Sequence, residues 1–186
     1  VSHSNVSVDG IVKKLAELMR KAGMEQYLKD GKILRYGYVR DPELKEDRSA
    51  VAFNYALDRN PRLKKEREDL LHEKDKLRAA AKPDNERQLV IEKRLKDIRA
   101  EVRSLENQYV GNAQFVATTI SKVTIDTLFE YRKYDVVMFD EVSMAYVSQL
   151  LCAATYAKEH FIAVGDFRQL APIAQSDARR ILERDI

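Results

Sequence analysis

Hydrophobic positions fall into three regimes along the chain. After Ser4 and Asn5, which have capping chemistry, Val8, Ile11, Val12, Leu15, Leu18 and Met19 recur at helical spacing and predict an amphipathic helix. Gly31 ends that stretch, and Lys32-Ile33-Leu34-Arg35-Tyr36 reads as a short strand. From about Pro42 to Val110 the pattern thins. Lys, Arg, Glu and Asp there surround a sparse apolar ladder that includes Leu70, Leu77, Leu89, Ile91, Leu95, Ile98, Val102 and Leu105. Lys82-Pro83-Asp84-Asn85 interrupts the ladder with a helix breaker followed by two capping residues, which predicts an antiparallel hairpin of coiled-coil character. Beyond Ala113 the grammar changes again, to short and nearly continuous apolar runs: Gln114-Phe115-Val116-Ala117-Thr118, Asp135-Val136-Val137-Met138-Phe139 and Phe161-Ile162-Ala163-Val164. Separated by amphipathic stretches, such runs are the pattern of buried parallel strands joined by crossover helices. The expected fold is therefore α/β, a doubly wound parallel sheet built from residues 1–41 and 111–186, with residues 42–110 as a charged helical insertion.

Composition narrows the classes. A chain of 186 residues that is 45% hydrophobic and 34% charged can fold as one domain with a helical appendage and is not a disordered composition. The formal net charge of +3 is too mild to single out nucleic acid as a partner. Cys152 is the only cysteine, so a disulfide framework and a cysteine-rich zinc site are excluded within the chain; in its apolar run it reads as a small buried hydrophobe. No stretch approaches the roughly 18 apolar residues of a membrane span. The expectation is a soluble, cytoplasmic protein without a membrane partner. The opening at Val1, with no methionine and a helical pattern within a few residues, reads as an internal segment of a longer protein.

Two strand ends carry candidate chemistry. Val136-Val137-Met138-Phe139 leads directly into Asp140-Glu141, and in open α/β sheets ligands gather beyond the carboxyl ends of the strands. A magnesium ion prefers hard oxygen ligands and takes one or two carboxylates beside substrate phosphates, a role that suits Asp140. Glu141 suits activation of a water that attacks a terminal phosphate. The second end is Phe161-Ile162-Ala163-Val164-Gly165-Asp166-Phe167-Arg168-Gln169-Leu170-Ala171-Pro172, where a glycine permits a close turn and a proline stops the segment. The Gln169 amide both donates and accepts hydrogen bonds, so it can contact a phosphate and a positioned water together. Taken singly, each end is equally compatible with a solvated strand terminus and an ordinary loop.

Together, and in this order, Asp140-Glu141-Val142-Ser143-Met144 and Gly165-Asp166-Phe167-Arg168-Gln169-Leu170-Ala171-Pro172 resemble the second and third motifs of superfamily 1 helicases. Ser4-Asn5-Val6-Ser7-Val8-Asp9 resembles their early nucleic-acid-contacting motif, often Ser-Asn-x-Ala-Val-Asp in the branch of the nonsense-mediated-decay RNA helicase and its DNA-acting relatives. Ile33-Leu34-Arg35-Tyr36-Gly37 is similar to that branch's Arg-x-Gly segment, a charged helical insertion follows, and Ala117-Thr118-Thr119 stands where its Ala-Thr-x strand end does. The resemblance spans nearly the whole chain and implies part of a first RecA-like motor domain that uses ATP and Mg²⁺. It implies Asp140 as the metal ligand, Glu141 as the catalytic base, and Gly165, Asp166 and Gln169 at the nucleotide, with Gln169 sensing the terminal phosphate. It further implies Ser4, Asn5, Thr118 and Thr119 along a track for single-stranded DNA or RNA, where short hydroxyl and amide side chains bind phosphate and sugar without reading sequence. For Ser4 and Asn5, helix capping is the competing role.

The departures carry information too. The chain contains no Gly-x-x-x-x-Gly-Lys followed by Ser or Thr, the loop whose backbone amides cradle phosphates. In the family that loop lies upstream of the early motif, and a second motor domain of the same protein follows downstream. The resemblance thus implies a fragment that by itself is inactive as an ATPase, with bare sheet edges that favour self-association. Two rival readings remain: a non-translocating ATPase switch of the same fold, and a helical partner-binding module with a vestigial site. The hairpin is either a self-stabilised solvated helix pair or a flank of the nucleic-acid channel through Lys64, Lys65, Arg67, Arg94, Arg99 and Arg103.

Overall fold

The structure, a computed structural model, describes residues 1–79, 84–166 and 168. Its elements in chain order are α1 (Asn5–Lys21), α2 (Gln26–Lys29), β1 (Ile33–Arg35), α3 (Pro42–Lys45), α4 (Ala52–Asp58), α5 (Pro61–Ala79), α6 (Asn85–Asn112), β2 (Phe115–Ala117), α7 (Ile120–Ile125), β3 (Tyr134–Asp140), α8 (Val147–Ala154) and β4 (Ala157–Val164). Short 3-10 turns at Thr127–Phe129 and Val142–Met144 flank β3. This is a mixed α/β fold with short parallel sheets.

β1 pairs in parallel with β2, Leu34 opposite Val116, and β3 pairs in parallel with β4, Met138 opposite Ile162. One residue joins the two pairs. Ser2 forms parallel bridges to Thr119 on one side and Asp140 on the other. Its amide donates to the Thr118 carbonyl at 3.3 Å, and the Asp140 amide donates to the Val1 carbonyl at 2.9 Å. Away from that bridge, an apolar cavity of about 610 Å³ separates β2 from β3, lined by Phe115, Val116, Val136, Met138 and Tyr156 among others.

Alternation along the strands decides what packs where. All three residues of β1 are buried, because both faces are covered. Ile33 joins α1 and Ala117 in one core, whereas Leu34 and Tyr36 turn the other way into a core shared with Phe139, Ile120 and Phe129. In β3, Val137 and Phe139 are buried while Val136 and Met138 stay exposed. β4 begins at Ala157, earlier than the apolar run at Phe161 predicts, because ladder hydrogen bonds with β3 and the Lys158–Asp135 ion pair at 3.1 Å carry its polar first half. In α1, Val8, Val12 and Ala16 form the buried stripe, and Ile11 and Leu18 lie at its exposed margin.

Within residues 42–58 the chain packs on the main core: Ala52 and Tyr55 share it with Leu34, and the Ala50 carbonyl accepts the Arg35 amide at 2.7 Å. The long helices α5 and α6 meet through Leu63, Ile98 and Val102. Leu89, read as a rung of the ladder, is exposed, since the seam at that end of α6 runs through Ile91 and Leu95 instead. Lys82 and Pro83 lie outside the described residues; Asp84 caps α6, its side chain accepting the Arg87 amide. No helix among the described residues is long and apolar enough to cross a membrane.

Candidate functional site

Parallel pairing of β3 and β4 sets the two candidate strand ends side by side, with Asp140 opposite Val164. Asp140 ends β3 and is half-buried, its two predecessors on the buried face anchoring the strand. Glu141 follows with φ 58 and ψ 42, the one left-handed non-glycine residue among those described. That conformation costs on the order of 1–2 kcal/mol for a residue with a Cβ. The turn is closed by the Met144 amide, which donates to the Glu141 carbonyl at 3.0 Å.

Gly165 abuts this turn. A Cβ at its position would stand 2.6 Å from Val142 Cγ1, 3.0 Å from the Val142 amide nitrogen and 3.1 Å from that of Ser143. The glycine is therefore needed for close approach of two backbones, more than for a turn of its own. Asp166 is exposed, and its Oδ1 accepts the Arg168 amide at 2.9 Å. Gln169, expected to sense the terminal phosphate, lies outside the described residues.

Three serines from the start of the chain reach the two acids. Ser7 Oγ donates to Asp140 Oδ2 at 2.6 Å, and Ser2 Oγ and Ser4 Oγ each donate to Glu141 Oε2 at 3.0 Å. Helical spacing explains the grip: Ser4 is the N-cap of α1 and Ser7 lies one turn on, so both hydroxyls stand on the same face of the helix. Hydrogen bonds to ionised carboxylates are among the stronger ones, and they hold both acids in defined rotamers. Sequence reasoning did not single out Ser2 or Ser7; the three-residue spacing of Ser4 and Ser7 was its only available signal.

The candidate track residues occupy neighbouring positions with different duties. Ser4 accepts the Ser7 amide at 3.1 Å as a cap. Asn5 Oδ1 accepts from Arg35 Nη2 at 2.8 Å. Thr119 caps α7, accepting the Lys122 amide at 3.3 Å. Thr118 is 1% exposed and, among the described residues, its hydroxyl has no hydrogen-bond partner. Above it sits Gly37 at φ 102, where a Cβ would come within 3.8 Å of that hydroxyl.

A buried ion pair fixes this corner. Arg35 Nε donates to Asp9 Oδ1 at 2.7 Å, both side chains being at most 1% exposed. The guanidinium also donates to the Tyr36 and Tyr38 carbonyls, and Asp9 Oδ2 accepts the amides of Arg40 and Asp41. Every polar atom thus gained is matched, the condition under which a buried pair is tolerable. A lone arginine in the apolar strand Ile33-Leu34-Arg35-Tyr36 is the sequence signal for it.

Several charges on the helix pair form ion pairs. Arg94 contacts Glu66 at 2.6 Å and Glu101 at 2.9 Å, Arg87 contacts Glu73 at 2.6 Å, and Lys64 contacts Asp58 at 2.6 Å. Such exposed pairs are worth about 0–1 kcal/mol each, so they add little stability. Cys152 is a half-buried free thiol. Among the described residues no three His, Cys, Asp or Glu side chains converge on a metal-sized site.

No curated protein matches the chain. A family model described as an AAA domain matches residues 1–177, nearly the whole chain, including β3, β4 and the strand ends that carry Asp140, Glu141 and Gly165. The chain therefore belongs to this AAA domain family, a superfamily 1 helicase-type domain of NTP-hydrolysing character.

Proposed function

We propose that this chain is the part of an ATP-dependent single-stranded nucleic-acid translocase that carries the metal-binding acid and the catalytic base, as in the branch of the nonsense-mediated-decay helicase and its DNA-acting relatives. The observation that supports it most is the juxtaposition of Asp140 and Glu141 with the Gly165 strand end, and their direct hydrogen bonds to the first turn of α1. One end of that assembly suits a triphosphate, and the other a sugar–phosphate backbone.

Asp140 fits Mg²⁺: it offers a hard carboxylate at a strand end, one oxygen steadied by Ser7, and the ion needs few protein ligands when phosphates and waters supply the rest. Bound there, the ion would neutralise charge on the transferred phosphoryl group. Glu141 takes the proton of the attacking water as the water oxygen bonds to the terminal phosphorus and the bond to the departing diphosphate oxygen breaks. Gln169 contacts the terminal phosphate, and Gly165 and Asp166 shape that side of the pocket. Ser4, Asn5, Thr118 and Thr119 line the strand's path. Ser4 and Asn5 are the partly exposed members of the four, while Thr118 and Thr119 are buried. The phosphate-cradling loop, absent from this sequence, and a second motor domain are supplied by the rest of the protein, where cycles of hydrolysis move the two motor domains along the strand. The helices α5 and α6 serve as a self-paired solvated hairpin.

Replacing Glu141 with Gln in the full-length protein tests the assignment. Steady-state ATP turnover should fall by about 10²–10⁴-fold while nucleotide affinity is retained. Undiminished turnover removes Glu141 from the role, and turnover indifferent to single-stranded oligonucleotides favours a non-translocating switch.

A further inference from the structure

Ser4 serves two partners in this structure with one hydroxyl. Its oxygen accepts the Ser7 amide at 3.1 Å and its proton goes to Glu141 Oε2 at 3.0 Å. Ser2 gives its own proton to the same carboxylate oxygen at 3.0 Å. A serine hydroxyl has a single proton to donate. If Ser4 binds a phosphate oxygen of a single strand, the proton it now gives to Glu141 must be withdrawn.

We propose that Ser4 is a positioning residue that acts as a nucleic-acid-operated latch on Glu141. Without a strand, the hydroxyls of Ser4 and Ser2 both donate to Oε2, so that this oxygen is not free for the proton of the attacking water. A phosphate oxygen on the track accepts the Ser4 hydrogen bond instead, the hydroxyl rotates, and Oε2 regains a lone pair for that water. The inference rests on the proposed roles of Ser4 in the track and Glu141 as the base.

The surroundings suit a switch made by rotation. The residue next to Ser4, Asn5, is tied to Arg35, which is buried and bound to Asp9 and to two backbone carbonyls, so the first turn of α1 is held in place. Glu141 sits in a left-handed conformation, a strained backbone of the kind concentrated at switching sites. Ser2, the second donor, bridges on its other flank to Thr119, just past the end of β2, so a shift of that strand end is coupled through the backbone to the same carboxylate.

The test uses the full-length protein and Ser4→Gly, which removes the proton but is a well-tolerated helix N-cap. ATP turnover is measured with and without a single-stranded oligonucleotide, alongside oligonucleotide affinity by fluorescence anisotropy and thermal melting. Ser4→Gly should raise strand-free turnover roughly tenfold, the equivalent of one lost hydrogen bond to a charged group, and shrink the stimulation ratio by a similar factor. Ser4→Thr, which keeps both hydroxyl and cap, should restore low strand-free turnover and the full ratio. If Ser4→Gly melts like the wild type and keeps the wild-type stimulation ratio, the latch is refuted while the track survives. A lower strand-free turnover in Ser4→Gly also refutes it. Should wild-type turnover and anisotropy both ignore single strands, the nucleic-acid reading falls and the latch with it.

Discussion

Glu106 offers a quantitative check on the packing between α6 and the main core. It lies on α6, 8% exposed, near Lys122, Arg103 and Asp126. Burial pushes its carboxyl up from the usual 4.5 to about 7, with Asp126 adding to the rise and Lys122 and Arg103 opposing it. At about 1.36 kcal/mol per pH unit, ionising this group in the folded protein at neutral pH and above costs roughly 3 kcal/mol relative to the unfolded chain. The sign follows from proton uptake: between 4.5 and about 7 the folded state binds more protons than the unfolded one, so stability falls as pH rises through that window. Below it both states are protonated and the cost vanishes. Glu106→Gln should therefore stabilise the protein by about 3 kcal/mol at pH 8, by about 1 kcal/mol at pH 5 and hardly at all by pH 4. Urea unfolding of both proteins across that range measures the difference directly. A stability difference that does not change with pH, or a variant less stable than wild type at pH 8, would refute the reasoning that desolvation dominates at this position.

Two further substitutions probe the supports of the site. Arg35→Ala strands the buried Asp9 carboxylate and should cost about 3–5 kcal/mol in urea unfolding, whereas a loss under 1 kcal/mol would mean that water or rearrangement replaces the guanidinium. Gly165→Ala places a methyl 2.6 Å from Val142 Cγ1 and 3.0 Å from the Val142 amide nitrogen, so the turn bearing Glu141 must shift. A loss of about 1–3 kcal/mol in stability and a fall in ATP turnover of the full-length protein are expected, and wild-type values in both would show that the turn yields freely.

Periodicity carried much of the local structure. The helical spacing of Val8, Val12 and their neighbours, the capping chemistry of Asp84 at the start of α6, and the short apolar runs around Val116, Val137 and Ile162 each reflect a preference that a segment expresses by itself. Motif order also pointed to the family, since a strand that ends in Asp140-Glu141 and another that ends in Gly165 are local patterns with chemical content. Local patterns misplace what depends on partners: β4 starts early because β3 supplies its ladder, and Leu89 is exposed because the seam passes it by.

Contacts across more than a hundred residues of chain lay beyond such reading. The grip of Ser2, Ser4 and Ser7 on the two acids exists only because Ser2 bridges both strand pairs and sets the start of α1 against the end of β3. Gly165 reads as a turn residue in one dimension and as a backbone contact in three. Hydroxyls, carboxylates and glycines have no periodic signature of their own; their duties are assigned by whichever segment the fold lays beside them, and desolvation, which moves Glu106, is a property of the whole packed surroundings.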